Sequence, residues 1–333
     1  MKTFFNTLST KLFIVAIAAF FLTSCLSDSV TEPEPPPNNE PDRPTATEAV
    51  PADGILEAVT WNIEWYGSTG NGPVNELQQT KNVLRIADSL KADLYALQEI
   101  SNQQSLDSLT EYMTGYRGFV ADYSTPNSNQ RTAFVYNTET IEMVSSGEIT
   151  QGQDRNDWAS GRFPLFFEFN YNYRGTSTPI YAITIHAKAN TGSSNQEREE
   201  AYNRRVRAAE SLYNFLKIEK PDAHIILLGD FNDDVDVSIF NGSSPSPYED
   251  FVNDEMNFRA ITKSISENGQ SSYIAGNFSD LIDHIIMSDE LFSNYSASSE
   301  EIFFDAEDFI ENYETSTSDH LPVWTKFDFS SSN

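Results

Sequence analysis

Along the chain, short runs of β-branched and aromatic residues repeatedly give way to an acid, an amide or a histidine. Leu56–Trp61 runs into Asn62-Ile63-Glu64, Asp93–Leu97 into Gln98-Glu99, Ile180–Ile185 into His186, and Ile225–Leu228 into Gly229-Asp230-Phe231-Asn232. Runs of this length, bounded by turn residues, read as strands. Ala133–Tyr136, Leu165–Asn170, Leu281–Met287 (which contains Asp283-His284) and Pro322–Phe327 (preceded by Ser318-Asp319-His320) read the same way. Two stretches have helical spacing of apolar residues: Asn75–Leu90, and Gln196–Leu216 with Ala201, Val206, Ala209, Leu212 and Leu216. Many strands intermixed with few helices predict an α/β chain, with sheets packed face to face and helices outside. The polar residues would then stand at strand ends, where function is mounted on a rigid scaffold.

With 333 residues, 39% hydrophobic and 13% aromatic, the chain can bury a substantial core. Its formal charge of −29 argues against holding nucleic acid through a broadly basic surface. It leaves open a local basic cleft or a metal-assisted enzyme. The single cysteine, Cys25, excludes an intrachain disulfide. Residues 1–24 read as a secretory signal: Lys2 and Lys11 precede or open the apolar run Leu12–Leu22, which is short for a spanning helix. Leu22-Thr23-Ser24-Cys25 resembles a bacterial lipoprotein box, so Cys25 is the expected lipidation site, and the expected location is the cell envelope, at the outer membrane or cell surface, or outside the cell. Residues 25–54, rich in Pro, Glu, Asp, Asn and Thr, read as a disordered tether. One domain is expected over 55–329.

The polar strand ends suit one chemistry. Mg²⁺ prefers carboxylate and amide oxygens, with waters and substrate phosphate completing its shell. Glu64, Glu99, Asp230 and Asp319 are candidates to supply them. Phosphodiester hydrolysis also needs a group to take a proton from water and groups to stabilise phosphoryl charge. His186 and His320 can move protons near neutral pH. Of the four histidines, only His224 lies outside these blocks, and it reads as structural. Each piece alone also has an ordinary reading: Asn62 as a turn former, Glu99 as a cap, Asp230-Phe231-Asn232 as an Asx turn.

Taken in order, Thr60-Trp61-Asn62-Ile63-Glu64, Leu97-Gln98-Glu99-Ile100, Ile185-His186-Ala187-Lys188, Leu228-Gly229-Asp230-Phe231-Asn232, Ile282-Asp283-His284-Ile285 and Ser318-Asp319-His320-Leu321-Pro322 resemble the motif series of the endonuclease/exonuclease/phosphatase superfamily. The resemblance covers about residues 55–328. It implies a four-layered α/β sandwich, two packed mixed sheets flanked by helices, with the site at one edge. It implies Glu99 as main metal ligand, with Asn62, Glu64 and Asp319 beside the metal, which would be Mg²⁺, with Mn²⁺ or Ca²⁺ as alternatives. Asp230 would align or deprotonate the attacking water, and Asn232 would hold the phosphate or the nucleophile. Asp283 would orient His320, and His186 would protonate the leaving oxygen or bind phosphate. Arg131, Arg162 and Lys188 would contact substrate. Two departures stand out. The acid at Glu64 points away from a close DNase I relative, and no carboxylate can be assigned to orient His186. Arg204, Arg205 and Arg207, on the second predicted helix, read as solvated.

The leading expectation is a monomeric nuclease, exported and anchored to a membrane only through lipid, with DNA and also RNA as substrates. The alternatives are a sphingomyelinase, a phosphatase for inositol phosphates or nucleotides, or a surface-binding lipoprotein that has lost catalysis. The last would show gaps among Glu99, Asp230, Asn232, Asp283, Asp319 and His320, and there are none.

Overall fold

A computed structural model of the chain describes residues 44–123, 130–276, 278 and 280–331. The segment read as an export signal, Cys25 and most of the tether lie outside the described residues. The described chain opens with β1 (Thr47–Glu48), β2 (Ile55–Tyr66), α1 (Glu76–Leu90), β3 (Leu94–Ile100), α2 (Gln103–Thr110), β4 (Met113–Thr114), β5 (Tyr116–Val120), β6 (Arg131–Asn137) and β7 (Ile141–Glu148). It continues through β8 (Leu165–Tyr173), β9 (Thr176–His186), α3 (Asn195–Glu219), β10 (Ile225–Asp230), β11 (Phe258–Ala260), β12 (Asp283–Ser288), β13 (Glu301–Ile302) and β14 (Val323–Asp328).

Two six-stranded sheets result, ordered β13-β14-β2-β3-β6-β5 and β11-β12-β10-β9-β8-β7. Each has a parallel central pair, β2/β3 in one and β9/β10 in the other, flanked on both sides by antiparallel partners. Parallel neighbours cannot be joined by a tight turn and need a crossover. The two helices legible in the sequence are those crossovers, α1 between β2 and β3 and α3 between β9 and β10. Asn75 caps α1 by accepting from the Gln78 N–H, and Ser194 with Glu197 forms a capping box on α3.

Alternation along the central strands builds the layers. Ile226 and Leu228 of β10 join the core between the sheets, while Ile225 and Leu227 face α3 and pack with its Ala208, Ala209, Leu212 and Leu216. The residues of α1 buried in the large core are Val83, Leu84, Ile86 and Ala87. The four-layered expectation is therefore met. A strand buried on both faces reads as a continuous apolar run, which is why β10 was legible. The edge strand β7 was not: Glu142, Met143 and Val144 are exposed, and Ile141–Glu148 shows no alternation.

Two readings need correction. The end of the predicted tether belongs to the domain. Thr47 and Glu48 pair in parallel with Met113 and Thr114, and buried Thr47 donates its Oγ1–H to Asp88 Oδ1 at 3.0 Å. So short a strand draws its order from its partner's backbone and not from its own apolar content. Arg205 is also not solvated. It is fully buried on α3, in line with Ala201, Ala208, Leu212 and Leu216, where Val206 was expected.

Candidate active site

Because both parallel pairs run the same way as their neighbours' crossovers demand, the carboxyl ends of β2 and β3 and of β9 and β10 carry the polar blocks, the usual location of a site in α/β sheets. Register does the rest. Asp230 pairs with His186 on one side and with Asp283 on the other, so three polar residues line up across β9, β10 and β12. Gly229 permits this alignment, since a Cβ there would lie 2.2 Å from Ile185 O. On the facing sheet the β2/β3 register breaks after Asn62, and Glu64, Trp65 and Glu99 adopt positive φ (35°, 53° and 65°). Such bulges re-aim side chains at functional edges.

Asn62 joins the two sheets. Its Nδ2 donates to Asp230 Oδ2 at 3.1 Å and to Glu99 Oε1 at 3.4 Å, while its Oδ1 accepts from the Glu64 N–H at 3.1 Å. Glu99 Oε2 accepts from the Trp65 N–H at 3.1 Å. His186 Nε2 lies 3.5 Å from Asp230 Oδ2 and 3.8 Å from Glu99 Oε1. A cavity of about 420 Å³ opens over Asn62, Glu99, His186, Asp230, Asp319 and His320. A larger groove of about 670 Å³ near Phe304 and Trp324 carries none of these residues.

The two site histidines have opposite surroundings. His320 Nδ1 is 2.7 Å from Asp283 Oδ2, an oxygen that also accepts from Ser272 Oγ at 2.7 Å. The His320 carbonyl accepts from Trp61 Nε1 and the Tyr313 hydroxyl, and its N–H donates to Ser318 Oγ, which in turn donates to Asn62 O. Burial disfavours charge on this ring, but Asp283, Asp230 and Asp319 outweigh it and raise His320 to about 10. His186 is pushed well below its ordinary value by burial, with Arg162 and His320 adding to the shift. Its buried Nδ1 has no hydrogen-bond partner, in keeping with the lack of an assignable carboxylate. His284, next to Asp283, points to the other face of β12. Its ring nitrogens meet Thr262 Oγ1 and Leu281 O, so it is a packing residue.

At the acidic edge, burial and the neighbouring charges of Asp319 and Glu99 raise Glu64 to about 7. Burial also raises Asp319, and it raises Asp230 to about 7, opposed by His320. Carboxylates crowded in this way suit a hard divalent cation, which would lower their mutual repulsion. Glu64, Glu99 and Asp319 could supply oxygen ligands to it. Among the described residues, Asp230, Asp283 and His320 also bring ligand atoms within 4.8 Å of one another. Asp283 and His320 of that set are already hydrogen-bonded to each other, whereas Glu64, Glu99 and Asp319 could hold a cation without breaking that pair.

The basic residues divide. Arg162 is buried beside the cavity, donating from Nη1 to Gln130 Oε1 and from Nη2 to Ala187 O, with its Nε unpaired. Lys188 stands behind the cavity wall, its Nζ on Ala189 O and Thr191 Oγ1, and burial lowers it to about 8 with help from Arg204, Arg162 and Arg205. Arg131 is not brought to the cavity. Its Nη1 donates to Ala121 O and its guanidinium lies over Tyr123. Asn232 lines the cavity, with its Nδ2 on Ala187 O at 3.2 Å. Gln130, Asn190, Ile239 and Tyr273 are among the other residues that line it, and Ser272 braces Asp283 behind it. They sit in loops without periodicity or motif, so nothing local signalled them.

Two face-to-face mixed sheets with carboxylates, amides and histidines converging at one edge define a hydrolytic centre of the phosphoester-cleaving kind. The model of the Endonuclease/Exonuclease/phosphatase family matches residues 59–320, and the chain belongs to that family. No curated protein matches the sequence significantly. Several solved structures share the fold. The human nocturnin catalytic domain with bound sulfate is 19% identical, with a TM-score of 0.56, covering 84% of this chain and 97% of its own. A D. rerio TDP2 complexed with single-strand DNA product is 13% identical, with a TM-score of 0.54, covering 83% and 100%. The Bacteroides thetaiotaomicron mannosyl-6-phosphatase Bt3783 is 14% identical, with a TM-score of 0.52, covering 81% and 98%.

Proposed function

We propose that the protein is an Mg²⁺-dependent phosphodiester hydrolase, exported and lipid-anchored through Cys25, whose substrate is nucleic acid. The observation that carries the reading is the Asp283–His320 pair, set beside Asp230 and His186 in one cavity bordered by the Glu64–Glu99–Asp319 edge. When bound, the cation supplies charge neutralisation on the phosphoryl oxygens. His320, kept protonated by Asp283, donates to a phosphoryl oxygen and stabilises its developing charge. Asp230, whose carboxyl titrates at about 7, accepts the proton of the attacking water. His186, held neutral, donates a hydrogen bond and binds phosphate; the neutral ring makes this its role in preference to full proton transfer. Arg162 places a buried positive charge beside the anion.

The dimensions of the cavity favour a second reading. About 420 Å³, walled by Asn190, Ile239 and Tyr273, suits a compact phosphate ester better than a long duplex. One experiment separates the two. The chain from residue 26 is incubated with supercoiled plasmid, and in parallel with sugar and nucleotide monophosphates, in Mg²⁺ or EDTA, beside His320→Ala. Mg²⁺-dependent nicking that His320→Ala lowers by about 10³-fold supports the nuclease. Release of phosphate from the monoesters without nicking replaces it with a phosphatase.

A further inference from the structure

Among the described residues outside those already given chemical roles, one ion pair has both side chains fully buried. Arg205 of α3 and Asp233 both have side chains 0% exposed. Burying a guanidinium and a carboxylate costs several kcal/mol, and well-packed apolar residues often serve stability equally well. What this pair adds is geometry. Arg205 Nε and Nη2 both donate to Asp233 Oδ2, at 2.9 and 2.8 Å, and its Nη1 donates to Lys188 O at 2.8 Å. Asp233 Oδ2 also accepts from Ser238 Oγ at 2.9 Å, and its Oδ1 from the N–H groups of Ile239 and Asp234 at 2.8 and 3.0 Å.

Three segments that border the cavity therefore meet on one ion pair: the loop after His186, the turn after Asp230, and the loop that carries Ile239 to the cavity wall. The β9/β10 ladder ends at the His186–Asp230 pair, followed by one more backbone bond, from Ala187 N–H to Asp230 O at 2.9 Å. Beyond it, side chains do the holding. Ala187 O accepts from Arg162 Nη2 at 3.0 Å and from Asn232 Nδ2 at 3.2 Å, and the next carbonyl, Lys188 O, is taken by Arg205. Two buried arginines thus hold consecutive carbonyls immediately after His186. The Asn232 amide is oriented by one of those carbonyls.

We infer that Arg205, anchored by Asp233, is a positioning residue that sets the His186 loop and the Ile239 wall against Asp230 and Asn232 for hydrolysis. The inference rests on the hydrolase reading of the same site. A lysine at 205 could still pair with Asp233, but it lacks the planar fork that reaches the Lys188 carbonyl at the same time. Arg205→Lys is therefore the test variant. Arg207→Lys, on the same helix but half-exposed and paired with Asp157, is the control, and Ser238→Ala, which removes one hydrogen bond to Asp233 without unpairing a buried charge, is the second variant should Arg205→Lys not fold. With bis(p-nitrophenyl) phosphate and Mg²⁺, Arg205→Lys should lose about 10- to 100-fold in kcat with KM within about twofold. Amide exchange in residues 187–191 should quicken about tenfold, while β10 and the core of α3 stay as in wild type. Unchanged kcat and unchanged loop exchange overturn the inference, as does exchange quickened evenly throughout the domain, which marks a plain stability role. A wild-type chain that hydrolyses neither this diester nor plasmid sinks the hydrolase reading instead. The exchange arm then decides whether the loop is held as described.

Discussion

On the β2–β3 side of the cavity, Glu64, Glu99 and Asp319 crowd together, and burial with mutual repulsion raises Glu64 to about 7. On the β9 side arginines gather around a lysine. Arg162, Arg204 and Arg205 stand close enough to Lys188 to help burial lower it to about 8. This local reversal occurs in a chain whose formal charge is −29. Under the hydrolase reading, a divalent metal would be held at the acidic edge and the phosphate ester would lie toward Arg162. His320 lies between them, its proton held by Asp283. The difference shows that net charge says little about a site. What counts is which strand ends the rare charges are placed on.

The comparison breaks most directly at Glu99. Glu99→Gln should lower kcat/KM by about 10³-fold and abolish any rise in melting temperature on adding Mg²⁺. Thermal-shift titration beside the turnover assay checks both. A variant that keeps the Mg²⁺-induced rise would move the metal to the Asp230–Asp283–His320 cluster.

A smaller effect is expected on the other side. His186→Asn should cost about 10²-fold in kcat while leaving Mg²⁺ binding intact. Burial holds His186 neutral, so its loss should lower the pH–rate profile without moving an inflection near pH 6.5. A variant that removes such an inflection would show His186 to be a proton donor, returning it to the role of general acid.

The sites of these two substitutions were legible because each follows an apolar run that builds a sheet: His186 ends β9, and Glu99 is the last polar residue of β3. Asp230, which ends β10, and Asp283, which opens β12, were readable in the same way, and register aligned them with His186. Asn62, inside β2, and His320, before β14, were readable from the motif blocks around them. Arg131 shows the limit of position alone. It opens β6 as expected, yet its guanidinium folds back onto Ala121 O and Tyr123, a choice of rotamer that no sequence spacing encodes. Arg205 differs, because its signal was present. Ala201, Arg205, Ala208, Leu212 and Leu216 keep helical spacing, and the arginine sits on the apolar stripe. Among Arg204, Arg205 and Arg207, that phase singles out Arg205 as the buried one, but charge argued for solvent. The pairing that decides the matter comes from Asp233, 28 residues away in sequence.

The smallest expected effect tests whether the acidic edge is strained when no cation neutralises it. A carboxyl whose folded value is raised loses stability for the fold as pH rises from its unfolded value, near 4.5, to about 7, and no further above that. Glu64→Gln removes this cost. Because Glu64 is only partly buried, solvent screening cuts the full linkage value, leaving a gain of about 1 kcal/mol at pH 8 in EDTA, a rise of about 2 °C in melting temperature. At pH 4 the two proteins should melt together, since Glu64 is protonated whether folded or not. With saturating Mg²⁺ the order should reverse at pH 8, because the cation relieves the repulsion in wild type while the variant has lost an oxygen ligand. Melting curves at two pH values, each with EDTA and with Mg²⁺, are enough. If Glu64→Gln melted below wild type in EDTA at pH 8, Glu64 would be stabilising the fold without metal, and the contrast between the crowded acidic edge and the arginine-rich flank would fail at Glu64.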